Sequence, residues 1–118
     1  MENIAPEITR QRLLIEGFYT NEIAQPDVDK YLTTIATELN LRFYGKPVVH
    51  APGREGKDVN DGFDAFLPLI DSGISLYVWT NRKFFAVVVF TCKAFNVEKA
   101  LESTQNYFGA SKLVSKEF

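Results

Sequence analysis

Apolar and polar residues alternate along several short segments of this chain, and a period of two is typical of β-strands with one buried face. Short polar turns at 71–73 and 81–83 join three of these segments, which predicts an antiparallel meander. Gly45 and Pro47 interrupt an earlier strand, as at a sheet edge or a bulge, and 51–62 lacks the pattern and is a predicted loop. The predicted strands are 12–19, 41–49, 63–70, 74–80, 84–91 and 111–118.

Two other segments repeat their apolar residues with the helical period of 3.6. The first begins at Pro26 and ends near Leu39. The second covers 97–108, with Asn96 as its N-cap and Gly109 as its C-terminal stop. The predicted order is β-α-β-β-β-β-α-β. Because each helix has one apolar stripe, we expect an α+β fold, a two-layer α/β sandwich in which a mainly antiparallel sheet carries two helices on one face.

The length and composition of the chain indicate one globular domain spanning 1–118. With 118 residues, of which 46% are hydrophobic and 24% charged, the chain is long enough for one core and too short for two domains. Its net charge of -2 gives no basic surface for nucleic acid. The longest apolar run, at 84–90, is far shorter than the roughly 20 residues of a membrane helix, so no membrane partner is expected.

The chain has one cysteine and one histidine. Because a lone thiol forms no internal disulfide and the N-terminus lacks the pattern of a signal peptide, we predict a cytoplasmic protein. A single histidine argues against a protein-only zinc site or a Ser-His-Asp triad, so no metal is expected. We assign this residue, His50, a structural or surface role.

One face of the predicted strand 74–80 carries aliphatic residues. Its other face carries Ser75, Tyr77 and Trp79, which are too polar for a core and too aromatic for bare solvent. Such a face usually meets a ligand or another subunit.

Three motifs occur at fixed spacing between Asp71 and Cys92. Asp71-Ser72 form a turn, Trp79 stands in the following strand, and a Phe-Thr-Cys motif ends at Cys92, twenty residues after Ser72. This pattern resembles the core of the prokaryotic S-adenosylmethionine decarboxylases, in which an acidic residue and a serine precede a strand with His-Thr-Trp and then Phe-Thr-Cys. The resemblance covers most of the chain, with 51–62 as an apparent insertion.

The resemblance implies a specific chemistry for Ser72 and Cys92. In the family the serine hydroxyl attacks the preceding carbonyl, and elimination from the resulting ester leaves a pyruvoyl group that withdraws electrons during decarboxylation. The cysteine donates the proton that replaces carbon dioxide. In this chain Tyr77 replaces the histidine that assists processing, and a phenol does not shuttle protons at neutral pH as imidazole does. We therefore expect no efficient self-cleavage, and no cofactor unless Ser72 becomes a pyruvoyl group.

The predicted site joins residues of the resemblance to polar residues of nearby strands. Trp79 would offer a flat π face to adenine or to a sulfonium, and Asp64 or Glu16 would serve as polar partners. The predicted catalytic residues are Ser72, Cys92 and Tyr77. The predicted ligand-binding residues are Trp79, Asp71, Asp64, Glu16 and Ser75.

Three functions remain open. The first is a protein that binds S-adenosylmethionine or a close analogue without a pyruvoyl group and acts on it as a lyase, because a sulfonium is a good leaving group. The second is a self-processing decarboxylase of S-adenosylmethionine, arginine or ornithine in polyamine biosynthesis. The third is a non-catalytic regulatory subunit of a decarboxylase paralogue. The resemblance also implies a homodimer or a higher homo-oligomer.

Overall fold

The computed structural model describes residues 1–51 and 61–118, so most of the predicted loop at 51–62 lies outside the described residues. The described chain forms one antiparallel sheet, with the strands side by side in the order β2-β3-β4-β5-β1-β6, and two helices. This arrangement confirms the predicted element order and the two-layer α+β sandwich. The elements are β1 (Gln11–Tyr19), α1 (Gln25–Glu38), β2 (Val48–His50), β3 (Gly62–Leu69), β4 (Ser72–Trp79), β5 (Phe84–Thr91), α2 (Val97–Phe108) and β6 (Ala110–Glu117).

Both helices cover the same face of the sheet and enclose the hydrophobic core. α1 packs on β3 and β4, and α2 packs on β1 and β6. The strands contribute alternate side chains to this core, as the period of two predicts. In β4, for example, Ile74, Leu76 and Val78 are buried against the helices.

A buried polar contact and a group of aromatic rings join the helices to each other and to the sheet. The hydroxyl oxygens of Tyr31 and Thr104 are 2.7 Å apart and hydrogen-bonded. The ring of Phe108 stacks on Phe85 of β5 with centroids 4.2 Å apart, and its centroid lies 4.9 Å from that of Tyr31. Neither helix in the described part of the chain is long and apolar enough to cross a membrane.

The predicted strand at 41–49 is wrong in its extent, because regular pairing with β3 covers only Val48–His50 as β2, and Phe43 adds one isolated bridge to Leu69. Pro47 has no N–H to donate to a neighbouring strand, which shortens the pairing. In addition, the backbone N–H of Arg42 donates to the carboxylate of Asp71 rather than to a strand partner. The residues before β2 therefore form a connection that closes over the start of β4.

The sheet surface opposite the helices, which we call the open face, is largely apolar. Large apolar or aromatic side chains stand on it in every strand, and each is exposed or half-buried. A contiguous apolar surface of this kind usually marks an interaction site. Its members are Leu14, Phe18, Val48, Phe66, Tyr77, Trp79, Phe84, Val88, Phe90 and Val114.

Candidate functional site

Asp71 lies in the two-residue turn before β4, and its buried carboxylate is held by Arg42. The backbone N–H of Arg42 donates to Oδ2 at 3.0 Å, and the guanidinium donates to Oδ1 at 2.8 Å and to Oδ2 at 3.4 Å. The side-chain hydrogen bonds from Arg42, and then the backbone one, lower the pKa of Asp71 from 3.8 to about 2. The same contact raises the pKa of Arg42. Both carboxylate oxygens of Asp71 are therefore engaged within the protein.

The backbones of Ser72 and Cys92 run close together beside this turn, because Ser72 pairs with Thr91 across the β4–β5 hairpin. The backbone of Ser72 has φ 122°, a region that favours glycine, so the chain is strained at the Asp71–Ser72 bond. The amide N–H of Cys92 donates to the carbonyl oxygen of Asp71 at 2.9 Å. Cys92 itself is exposed.

Gly73 follows Ser72, and the ring of Phe66 on β3 lies close to its backbone. A Cβ atom at Gly73 would lie 2.6 Å from the ring of Phe66, which is closer than a real side-chain atom approaches its neighbours. The aromatic ring of β3 thus rests directly on the backbone of β4.

A second group of predicted residues lies near the centre of the open face. Tyr77 of β4 pairs with Asp64 of β3, which pairs in turn with His50 of β2. We call these three residues the cross-strand row. With Ser75 and Phe66 they border an open depression of about 400 Å³. In residues 1–51 and 61–118, no group of three or more His, Cys, Asp or Glu side chains is placed to hold a metal ion.

Trp79 lies at the far end of β4, in a group of aromatic rings. The ring centroids of Trp79 and Phe84 are 5.4 Å apart, and those of Phe84 and Phe18 are 5.3 Å apart. Together with Arg82 these rings line a depression of about 300 Å³. Exposed aromatic faces of this kind are suited to stacking with a flat ring of a ligand.

The predicted site residues therefore occupy three places along β4 rather than one pocket. At about 3.3 Å per residue, Ser72 lies ~16 Å from Tyr77 and ~23 Å from Trp79. Glu16 belongs to the same row as Tyr77, but Ala86 stands between them, which separates the two by about 10 Å.

The pairing of Ser72 also places it on a different side of the sheet from the cross-strand row. Its partners on the two neighbouring strands, Leu69 and Thr91, are both buried among the core-facing residues. By strand alternation Ser72 belongs with them, whereas Ser75 and Tyr77 belong to the open face. Within one chain, Ser72 and Tyr77 are therefore separated both along the strand and across the sheet.

Arg42 and His50 are absent from the residues predicted from the sequence. Arg42 lies 29 residues before its partner Asp71, and strand periodicity does not indicate which distant residue a side chain meets, so no pattern points to this pair. His50 is exposed, as expected of a surface residue, but it also stands on the open face beside Asp64. The alternation of Val48 and His50 on an edge strand is the one sequence feature that hints at this position.

Comparisons with known proteins agree with this fold. A model of the S-adenosylmethionine decarboxylase family matches residues 19–118. A comparison with curated protein sequences gave no significant match. Among solved structures, the chain is similar to the adenosylmethionine decarboxylase from Aquifex aeolicus VF5, with a TM-score of 0.73 at 14% sequence identity. That alignment covers 94% of this chain and 89% of the other, and at this identity it supports the fold alone.

We expect the contact between Asp71 and Arg42 to make the stability of the protein depend on pH in the acid range. Folding lowers the pKa of Asp71, so near pH 3 the unfolded chain binds a proton that the folded chain does not. The stabilisation is complete above about pH 4 and is lost as the pH falls towards 2. Asp71→Asn should therefore lower the free energy of unfolding at pH 7 and flatten its dependence on pH below 4.

Urea denaturation followed by circular dichroism between pH 2 and 7 measures this dependence. Asp29→Asn, an equivalent substitution on α1 far from the turn, serves as the control and should leave the slope unchanged. If Asp71→Asn retains the full wild-type slope, the contact does not carry the acid sensitivity.

Proposed function

The chain belongs to the S-adenosylmethionine decarboxylase family, and we propose that it binds S-adenosylmethionine or a close analogue on the open face. We propose in addition that the Asp71–Ser72 bond stays intact, so that no pyruvoyl group forms. The observation that carries this proposal is the position of Tyr77. A phenol stands where the resemblance calls for a histidine, and it lies beside Asp64 on the opposite side of the sheet from Ser72.

A sulfonium ligand suits the charge and the walls of the depression at the cross-strand row. The carboxylate of Asp64 attracts a positive charge, and the ring face of Tyr77 adds a cation–π attraction. Val48 and Phe66 offer apolar contact to the carbon atoms around the sulfur. Trp79 lies two residues further along β4, ~7 Å away, where it is within reach of the adenine of the same molecule.

As a lyase the protein would cleave a C–S bond of the bound sulfonium. The bonding electron pair goes to sulfur, so a neutral thioether leaves without needing a proton. The neighbouring carbon loses a proton as the new C=C bond forms, and we assign Asp64 as the base that accepts it. Such a reaction depends chiefly on positioning, which a rigid sheet supplies.

We propose that the protein is a cytoplasmic homodimer joined through the open face. Phe66 and Phe90 are more than 40% exposed on this face, and covering such side chains removes apolar surface from water. A two-fold related copy would use the same surface on both chains. The ligand depression would then lie between the two copies, which would exclude water from it.

Self-processing to a pyruvoyl-dependent decarboxylase is the second candidate function, and two observations favour it. The strained φ of Ser72 lies at the bond that would break. The carbonyl that the serine would attack, that of Asp71, already accepts a hydrogen bond from the amide of Cys92, and such a bond stabilises developing negative charge on the oxygen.

The intact mass of the denatured protein separates these two candidates. We expect a single species at the full-length mass, identical in behaviour to the Ser72→Ala variant. Two fragments that divide between Asp71 and Ser72, with the C-terminal fragment lighter as a pyruvoyl form, would refute the uncleaved protein. Ser72→Ala should abolish such fragments, and this control identifies any cleavage by a contaminating protease.

The dimer predicts that a charge on the open face weakens self-association. Phe90→Glu should shift the mass measured by sedimentation equilibrium from twice the chain mass towards the monomer, because the interface would have to take a carboxylate out of water even with Arg12 opposite it on β1. Tyr44→Glu is the matched control, since Tyr44 is a highly exposed aromatic residue outside the sheet. A monomeric wild-type protein, or a dimer that Phe90→Glu leaves intact, would contradict this interface.

The sulfonium site predicts a preference for the charged ligand. S-adenosylhomocysteine lacks the methyl group and the positive charge of S-adenosylmethionine, so we expect it to bind about tenfold more weakly by calorimetry. Asp64→Asn should bring the two affinities close together, whereas Asp29→Asn should preserve the difference. Equal affinity of the wild-type protein for both ligands would exclude a cation site at Asp64.

A further inference from the structure

His50 occupies a position that the core of the protein does not require. It ends the three-residue edge strand β2, in which Val49 packs against the core while Val48 and His50 are exposed on the other side. The only imidazole of the chain is thereby placed on the open face rather than among buried residues. Its backbone pairs directly with Asp64.

From the edge of the sheet inwards, the cross-strand row consists of His50, Asp64 and Tyr77, which are three different kinds of side chain. Directly opposed residues on neighbouring strands have Cβ atoms about 5 Å apart, so the row extends over about 10 Å from His50 to Tyr77. The imidazole of His50 can donate an N–H, the carboxylate of Asp64 accepts only, and the phenol of Tyr77 offers a ring face and a hydroxyl. All three line the same depression.

This order of groups matches an amino-acid ligand with a second cationic centre. We propose that His50 binds the carboxylate of the ligand, with the α-ammonium group at Asp64 and the sulfonium between Asp64 and Tyr77. The inference rests on the proposed function and adds to it a direction of binding. The amino-acid end lies at the β2 edge of the sheet, and the adenosine end points along β4 towards Trp79.

The carboxylate is assigned to His50 because the other groups of the depression suit it less. Asp64 repels an anion, and Val48 and Phe66 offer no hydrogen bond to one. Ser75 and Tyr77 carry hydroxyl groups, but both lie nearer the centre of the sheet, where the cation is placed. Among the described residues that line the depression, His50 is therefore the one that distinguishes a ligand with a carboxylate from one without it.

Decarboxylated S-adenosylmethionine provides the matched probe, since it lacks only the carboxylate. We expect wild-type protein to bind S-adenosylmethionine about tenfold more tightly than this analogue in calorimetry. In His50→Ala the ratio of the two affinities should fall to about one, while the affinity for the decarboxylated analogue changes by less than about twofold. His50→Gln, which keeps an N–H donor, should restore part of the preference.

Lys46→Ala controls for the loss of a nearby positive charge outside the row, and it should retain the wild-type ratio. Because His50 is exposed on an edge strand, its variants should fold, which circular dichroism and urea denaturation verify. A His50→Ala protein that binds both ligands with an unchanged ratio overturns the role of His50 and leaves the proposed ligand in place. A wild-type protein that binds neither ligand overturns both the proposed function and this inference.

Discussion

The cross-strand row on the open face depends on the antiparallel register between β3 and β4. The side-chain period of a strand is two, so a slip of one residue would move Tyr77 to the core side and expose the aliphatic residues that pack on α1. The ring of Phe66 lies on the backbone of Gly73, where any side chain would collide with it. The backbone pairs from Gly62 with Trp79 to Leu69 with Ser72 hold this register, and the register sets Tyr77 opposite Asp64.

The same turn explains how the chain holds a strained serine. A φ of 122° at Ser72 costs on the order of 1–3 kcal/mol, and such a conformation persists only where its surroundings over-determine it. Two contacts to the preceding residue supply this restraint: Arg42 holds the side chain of Asp71, and the amide of Cys92 donates to its carbonyl oxygen. The same restraint allows a strained serine to persist beside an intact peptide bond.

Periodicity predicted the elements of this fold because the interactions that define them are local. Each helix or strand buries one apolar face, and residues at its ends cap it. Asn96 accepts a hydrogen bond from the backbone of Lys99, and Gly109 adopts a left-handed φ of 60°, so α2 begins and ends at the predicted residues. Residues 41–49 failed as a continuous strand because Pro47 has no N–H for pairing and the N–H of Arg42 donates to distant Asp71, which leaves Phe43 in a single bridge to Leu69.

The site was predicted less completely than the fold, for a related reason. Spacing along the hairpin places the backbone of Ser72 near that of Cys92, because β4 and β5 follow each other through a short turn and pair over their full length. The position of His50 depends instead on how an edge strand pairs across the segment 51–62, and no local pattern encodes that register. Nor does the sequence reveal that Ser72 and Tyr77 belong to opposite sides of the sheet. Ser72 was predicted to lie in a turn, where strand alternation does not apply, whereas the structure shows it as the first residue of β4.

Tyr77 stands where the resemblance calls for a histidine, and the imidazole of the chain, His50, lies on β2 instead. These positions affect which chemistry the open face can perform. Proton transfer to or from a reacting atom requires a titratable group within hydrogen-bond reach of that atom. The imidazole of His50 lies two strand spacings, about 10 Å, from Tyr77. It is therefore too far away to exchange a proton with an atom that reacts beside Tyr77 in the same chain. Binding an extended ligand has a looser requirement, because its separate groups are themselves several ångströms apart. A row of imidazole, carboxylate and phenol spread over about 10 Å therefore suits recognition of a molecule with several charges, while the proposed elimination needs only the one carboxylate of Asp64 near the bond that breaks.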